Sequence, residues 1–214
     1  MHRLSFATAA AITATATVAV LVGAAPSASA VEGWTTIGSD VARPLDESQG
    51  LAESEANNNS FAAVSPDTRW LVSGEWGTMQ RLLVMPMPGV AATDPDANLP
   101  LASRITLDRP VRDVQGCDFE TETRLVCSSD DPDGALFDVT KPLLQIELSA
   151  PVGGDDVTGT VSSLGQLPLD SGCDGDFETE GIDYDDADGT LRVVVLSPSV
   201  CVATDSKTWR LRRS

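Results

Sequence analysis

Ala63-Val64-Ser65-Pro66-Asp67-Thr68-Arg69-Trp70-Leu71-Val72-Ser73 is an apolar run, a polar turn and a second, alternating apolar run. That order predicts a β-hairpin: side chains alternate between faces along each arm, and Pro, Asp and a small polar residue suit the bend. The pattern returns at Cys117-Asp118-Phe119-Glu120-Thr121-Glu122-Thr123-Arg124-Leu125-Val126-Cys127, and again at Ile182-Asp183-Tyr184-Asp185-Asp186-Ala187-Asp188-Gly189-Thr190-Leu191-Arg192-Val193-Val194. Three copies of one supersecondary unit point to a repeat architecture. Beyond residue 30, helical periodicity is nearly absent. Leu51–Ala56 suits one turn at most, while Pro and Gly punctuate short alternating runs throughout. The expected fold class is all-β.

Around the hairpins the strands sort into three units. Unit one takes Ser60–Val64, Arg69–Gly74, Arg81–Met85 and Ser103–Leu107. Unit two takes Asp113–Phe119, Arg124–Ser128, Leu143–Leu148 and Gly159–Leu164. Unit three has only Thr179–Tyr184, Thr190–Leu196 and Thr208–Arg212. A lone strand, Trp34–Gly38, precedes unit one and is expected to complete unit three. Four-stranded units with a displaced terminal strand are how β-propellers close. The run Ser65-Pro66-Asp67-Thr68-Arg69-Trp70-Leu71-Val72 resembles the S-P-D-G-x-x-[LIV]-[AV] hairpin of β-propeller repeat proteins with YVTN and WD40-like blades, with Thr68 where glycine is usual. The stretch from Asn57 to Arg212 also resembles uncharacterised secreted proteins of high-GC Gram-positive bacteria. The resemblance implies a propeller-like platform and no particular chemistry. Two features strain a simple propeller. Leu71, Leu125 and Leu191 are 54 and 66 residues apart, against about 40–50 for propeller repeats. Three units also fall short of the usual four to eight blades. Two chains closing one ring as a homodimer, or a β-sandwich, are the alternatives. A second match, Phe119-Glu120-Thr121-Glu122 with Phe177-Glu178-Thr179-Glu180, has an offset of 58 and conflicts with the strand register. The strand register accounts for more residues.

Residues 1–30 read as a secretory signal peptide. Arg3 is the positive n-region, Ala7–Ala25 the apolar stretch and Ala28-Ser29-Ala30 the cleavage site. The remainder, 31–214, is expected to be one secreted, extracellular domain with no membrane span. The chain carries 14 Lys+Arg against 32 Asp+Glu, a net charge of −18. Such a surface repels phosphate backbones, which excludes nucleic acid as a partner, and it repels anionic membranes. The single histidine is His2, inside the signal peptide. A His-free domain rules out Ser-His-Asp and Cys-His catalysis and nearly all zinc or copper sites. No cofactor is expected.

Four cysteines in an exported chain imply two disulfides. With Glu122 at the centre of its turn, Cys117 and Cys127 face each other directly across the hairpin, within disulfide reach. The expected pairs are therefore Cys117–Cys127 and Cys173–Cys201.

Three constellations could carry function. Glu120, Glu122, Glu178 and Glu180 lie near inner strands or their turns, and two carboxylates about 5–9 Å apart can hydrolyse a glycosidic bond. Asp130, Asp131 and Asp133, with the Asp183–Gly189 turn, are acidic loops of the kind that hold calcium. The EF-hand spacing fails, however, and Asp with Gly also suits an ordinary turn. Glu75 and Trp76 sit in a Gly-flanked loop, where an exposed indole beside a carboxylate could stack on a sugar or anchor a protein. Trp70 reads as core. The leading expectation is a non-enzymatic binding module for an extracellular protein or glycan. A carboxylate-dependent glycan hydrolase or lyase, and a structural remnant of a longer propeller with no site, are the alternatives.

Overall fold

The computed structural model describes residues 31–42, 59–88, 99–198, 201 and 206–214. The signal peptide expected at residues 1–30 and the helical turn expected at residues 51–56 lie outside the described residues. Twelve strands are described: β1 (Trp34–Ala42), β2 (Asn59–Val64), β3 (Trp70–Glu75), β4 (Thr78–Pro86), β5 (Ser103–Arg112), β6 (Val114–Thr121), β7 (Arg124–Ser129), β8 (Pro142–Leu148), β9 (Val157–Gln166), β10 (Glu178–Asp185), β11 (Thr190–Leu196) and β12 (Ser206–Arg213). No helix occurs among the described residues, and the fold is all-β.

The opening hairpin turn is held by its own side chains. Ser65 Oγ donates to Asp67 Oδ1 at 2.6 Å and accepts from Trp70 N at 3.0 Å, and Asp67 also accepts from Arg69 N. Thr68 has φ of 60°. It takes the left-handed conformation for which this type of turn ordinarily uses glycine.

Strands β2 to β5 form one antiparallel meander and β6 to β9 another. In the third unit β10, β11 and β12 run antiparallel. The displaced β1 pairs antiparallel with β12, from Trp34 opposite Arg213 to Ala42 opposite Ser206. The three four-stranded units, with the N-terminal strand completing the last, are thus present. The third hairpin places Tyr184 opposite Leu191, as the strand register requires. Phe177 only precedes β10, whereas Phe119 lies near the end of β6, so the Phe-Glu-Thr-Glu match is not structural.

One joint departs from independent blades. The outer strands of units one and two hydrogen-bond in parallel, Ile105 opposite Val157 and Leu107 opposite Gly159, which makes a single eight-stranded sheet. Gly159 permits this approach. A Cβ there would lie 2.9 Å from Ile146 Cγ2 and 3.0 Å from Leu107 Cδ2.

Alternation along the strands builds two cores on opposite faces of unit two. Leu125 and Cys127 of β7, with Leu144 and Ile146 of β8, join Val72, Leu82, Val84, Ile105 and Leu107 of unit one. Val126 and Leu143 point the other way, against Trp34, Leu191, Val193 and Leu211 of unit three. Unit two is therefore the middle layer, and β7 is buried on both sides. The innermost strand β6 packs against both β2 and β10. At Gly116 the contact with β10 is backbone on backbone: a Cβ would lie 2.6 Å from Ile182 N and 2.9 Å from Gly181 Cα. Cys117 and Cys127 are register partners and are bonded, with Cα atoms 4.1 Å apart, inside the first core.

Candidate ligand cleft

The turn between β3 and β4 is pinned from two sides. Gly77, at φ +82°, donates to Asp113 Oδ1 at 2.9 Å and its carbonyl accepts from Asp113 N at 3.1 Å. This fixes the Glu75–Thr78 turn, and Trp76 within it, against the β5–β6 junction. Trp76 is half-buried. Along β4 and β5, Met79, Leu82, Ile105 and Leu107 face the first core. Arg81 and Arg104 stand on exposed positions of β4 and β5, as does Thr106, the register partner of Arg81. The outcome is an open cleft of about 710 Å³ lined by Glu75, Trp76, Thr78, Gln80, Arg81, Arg104 and Thr106, with Met79 at its floor.

The polar groups of the cleft are unequally committed. Arg81 makes two hydrogen bonds of 3.1 Å to the two oxygens of Glu75. That pairing raises the Arg81 pKa above its ordinary value. Gln80 Nε2 donates to Leu107 O. The Arg104 main-chain N–H donates to Asp156. Its guanidinium has no ion pair, side-chain hydrogen bond or ring contact among the described residues.

The glutamates expected to form an acid–base pair serve other ends. Glu120 is buried, its side chain 5 % exposed, and faces Arg213 at 3.2 Å and Arg124 at 3.7 Å. Arg213 also lies over the Trp34 ring, and Trp34 meets Tyr184 edge-on at 6.1 Å between centroids. Glu120 therefore fastens the last strand of unit three to the inner strand of unit two. Glu122 is exposed at the β6–β7 turn and shares a small cleft of about 160 Å³ with Asp67. Glu178 is exposed at the start of β10, and Glu180 is buried, its carbonyl accepting from Ser128 Oγ at 2.7 Å.

The acidic-loop carboxylates are engaged by cations and turn N–H groups. Asp130 is buried, accepts from Thr179 Oγ1, and meets Lys141 Nζ at 3.1 Å. Burial raises its pKa against the opposing pull of these partners. Asp131 accepts from Leu136 N at 2.8 Å and lies 3.5 Å from Arg112, which also meets Asp133 at 2.9 Å. Among the described residues no group of three or more His, Cys, Asp or Glu is placed to hold a metal ion. In the third hairpin Asp183 and Asp185 pair with Arg192, while Asp188 accepts from Thr190 N, so these are hairpin and turn interactions.

Cys173 and Cys201 are both half-buried thiols and are not bonded to each other. They are near neighbours: the hydrogen bond with Cys201 is the largest influence on the Cys173 thiol, and it raises that pKa. Of the cleft residues, Glu75 and Trp76 stood out in the sequence because of their Gly-flanked loop. Arg81 and Arg104 did not, since each reads there as an ordinary outward position on an alternating strand.

No protein-family model matches the chain, and no curated protein matches it. Among solved structures it is similar to the beta-propeller domain of Cps50 (Swd1) from Myceliophteria thermophila. The identity is 12%, the match covers 71% of this chain and 37% of that one, and the TM-score is 0.34.

Proposed function

We propose that this chain is an exported, non-enzymatic binding module of propeller-like units that holds an extracellular glycan in the Trp76 cleft. One observation carries the reading: an indole on a pinned turn stands beside hydroxyl, amide, carboxylate and guanidinium groups from two neighbouring strands, around an open space of about 710 Å³. That volume lies within the range of small-molecule sites. An amphipathic ring with flanking hydrogen-bonding groups suits a sugar, which has one apolar face and a rim of hydroxyls. Hydrolysis is less well supported, because Glu120 is held between two arginines and Glu122 and Glu178 sit exposed on separate elements. Export fits the signal-like residues 1–30, the bonded Cys117–Cys127 pair and the resemblance to secreted bacterial proteins. In an oxidising compartment Cys173 and Cys201 form the second disulfide.

The reading is tested by calorimetric titration of the purified chain with a panel of soluble oligosaccharides and polysaccharide fragments. Wild type binds at least one of them. Trp76→Ala weakens that binding by about 2 kcal/mol, roughly thirtyfold, as expected for an aromatic anchor, and leaves the urea midpoint unchanged. Absence of binding across the panel, or equal binding by both proteins, overturns the assignment.

A further inference from the structure

Resting on the glycan reading above, we propose that the cleft selects a glycan carrying an isolated carboxylate, a uronic acid or comparable acidic sugar, which pairs with Arg104. The chain has 32 Asp+Glu for 14 Lys+Arg, so partners for cations are plentiful. Almost every described cation has taken one. Arg81, Arg112, Arg124, Lys141, Arg192, Lys207, Arg210, Arg212 and Arg213 form ion pairs. Arg69 and Arg109 lie over aromatic rings, and Arg109 also donates to Leu136 O. Arg104 alone among the described residues has none of these contacts. It shares the cleft with Trp76 and with Arg81, which Glu75 already pairs.

A guanidinium presents planar, forked donors that match a carboxylate with two parallel hydrogen bonds, and it needs no titration to do so. Arg81 is the weaker candidate, since Glu75 already takes its Nε and Nη2 donors and offsets its charge. Together these place one unclaimed cation beside one stacking surface, which suits a sugar ring with a single acid group.

The charge of the whole chain narrows the ligand further. At −18 the protein repels polyanions at long range. A polymer with a carboxylate or phosphate on every residue would pay that repulsion along its length, whereas one acidic sugar among neutral neighbours meets only the local field. A second copy of the chain carries the same net charge of −18 and is repelled in the same way, which disfavours it as the occupant.

The test uses a glycan array and calorimetry on the oxidised chain, with three probes: a neutral oligosaccharide, the same oligosaccharide bearing one uronic acid, and that acidic form with its carboxyl reduced to the alcohol. A Glu-rich peptide and light scattering for self-association complete the set. Wild type is expected to prefer the acidic form about tenfold or more over both neutral forms. Arg104→Gln loses far more affinity for the acidic form than for either neutral form, which removes the preference, and Trp76→Ala loses all three. Equal binding of acidic and reduced forms, or an equal loss of both in Arg104→Gln, overturns the carboxylate assignment and leaves glycan binding intact. Binding of no glycan, or of the peptide alone, overturns both. A dimer that Arg104→Gln strengthens also overturns the assignment, because it makes the face an interface between copies.

Discussion

Replacing Gly116 by alanine tests the claim that units two and three meet backbone to backbone. The added Cβ would lie 2.6 Å from Ile182 N, 2.9 Å from Gly181 Cα and 3.0 Å from Gly181 C. All three are main-chain atoms, so no rotamer change can make room. Reaching ordinary contact requires β6 and β10 to separate by several tenths of an ångström. One hydrogen bond spans that gap, from Tyr184 N to Asp118 Oδ2, and another beside it joins β7 to β10, from Ser128 Oγ to Glu180 O, each 2.7 Å. Overpacking costs about 1–3 kcal/mol, and weakening these two hydrogen bonds, one buried and one half-buried, adds up to about 1 kcal/mol each. The expected loss is roughly 3–5 kcal/mol in urea unfolding, a large share of a single domain's stability. The control is Gly181→Ala, at the residue that Gly116 faces on the other strand. A Cβ at Gly181 meets nothing within 4 Å, and its cost is expected below about 1 kcal/mol. Gly116→Ala within about 0.5 kcal/mol of wild type, or equal losses for the two variants, would refute the β6–β10 packing described here.

Four further outcomes follow from the same interactions. With the proposed Cys173–Cys201 disulfide formed, oxidised protein contains no titratable thiol, and Cys201→Ser exposes one at Cys173 while costing about 3–4 kcal/mol on a loop-closure basis; two thiols titrating in the oxidised wild-type protein would refute that disulfide. Lys141→Met removes the ammonium 3.1 Å from buried Asp130 and is expected to cost about 3–5 kcal/mol, with Asp130→Asn in the Lys141→Met background recovering part of the loss. Thr68→Gly relieves a β-branched residue at φ 60° and is expected to raise the urea midpoint by about 1 kcal/mol equivalent. Acid stability has a worked sign. Burial raises Asp118 above 3.8, so the folded state holds its proton more tightly and this group's contribution, present below 3.8, is lost as pH rises through the folded pKa. Unfolding measured upward from pH 3.8 should therefore show a declining limb that Asp118→Asn flattens. An unchanged limb in that variant would remove the assignment to Asp118.

The fold was legible to the extent that local patterning specifies it. The three hairpins, the composition of each unit and the crossing of Trp34–Gly38 to unit three rest on side-chain alternation and turn chemistry, and both act over a few residues. The Cys117–Cys127 pairing was legible for the same reason, since a two-arm register is arithmetic about its turn. The parallel β5–β9 joint was not. It depends on Gly159 leaving room for Ile146, Leu107 and Ile105 at once, residues that are distant in sequence and carry no common pattern. The burial of β7 on both faces was equally hidden, because Val126 and Leu125 acquire opposite neighbours only when three units stack.

The candidate site divides along the same line. Glu75 and Trp76 announced themselves through glycines on either side, a local signal. The glutamates suggested a site because carboxylates are abundant, and abundance says nothing about which of them a cation has claimed. Glu120 shows the difference: by sequence it is one acid among 32, and in the fold it is a buried anchor for Arg213 and Arg124. Arg104 is its converse. An arginine at an outward strand position is unremarkable in a sequence, and it becomes informative only once the partners of every other described cation are known. In a chain this acidic, function is better sought in the cation left without a partner than in the carboxylates, because the structural role of a carboxylate here is so often to satisfy an arginine or a turn.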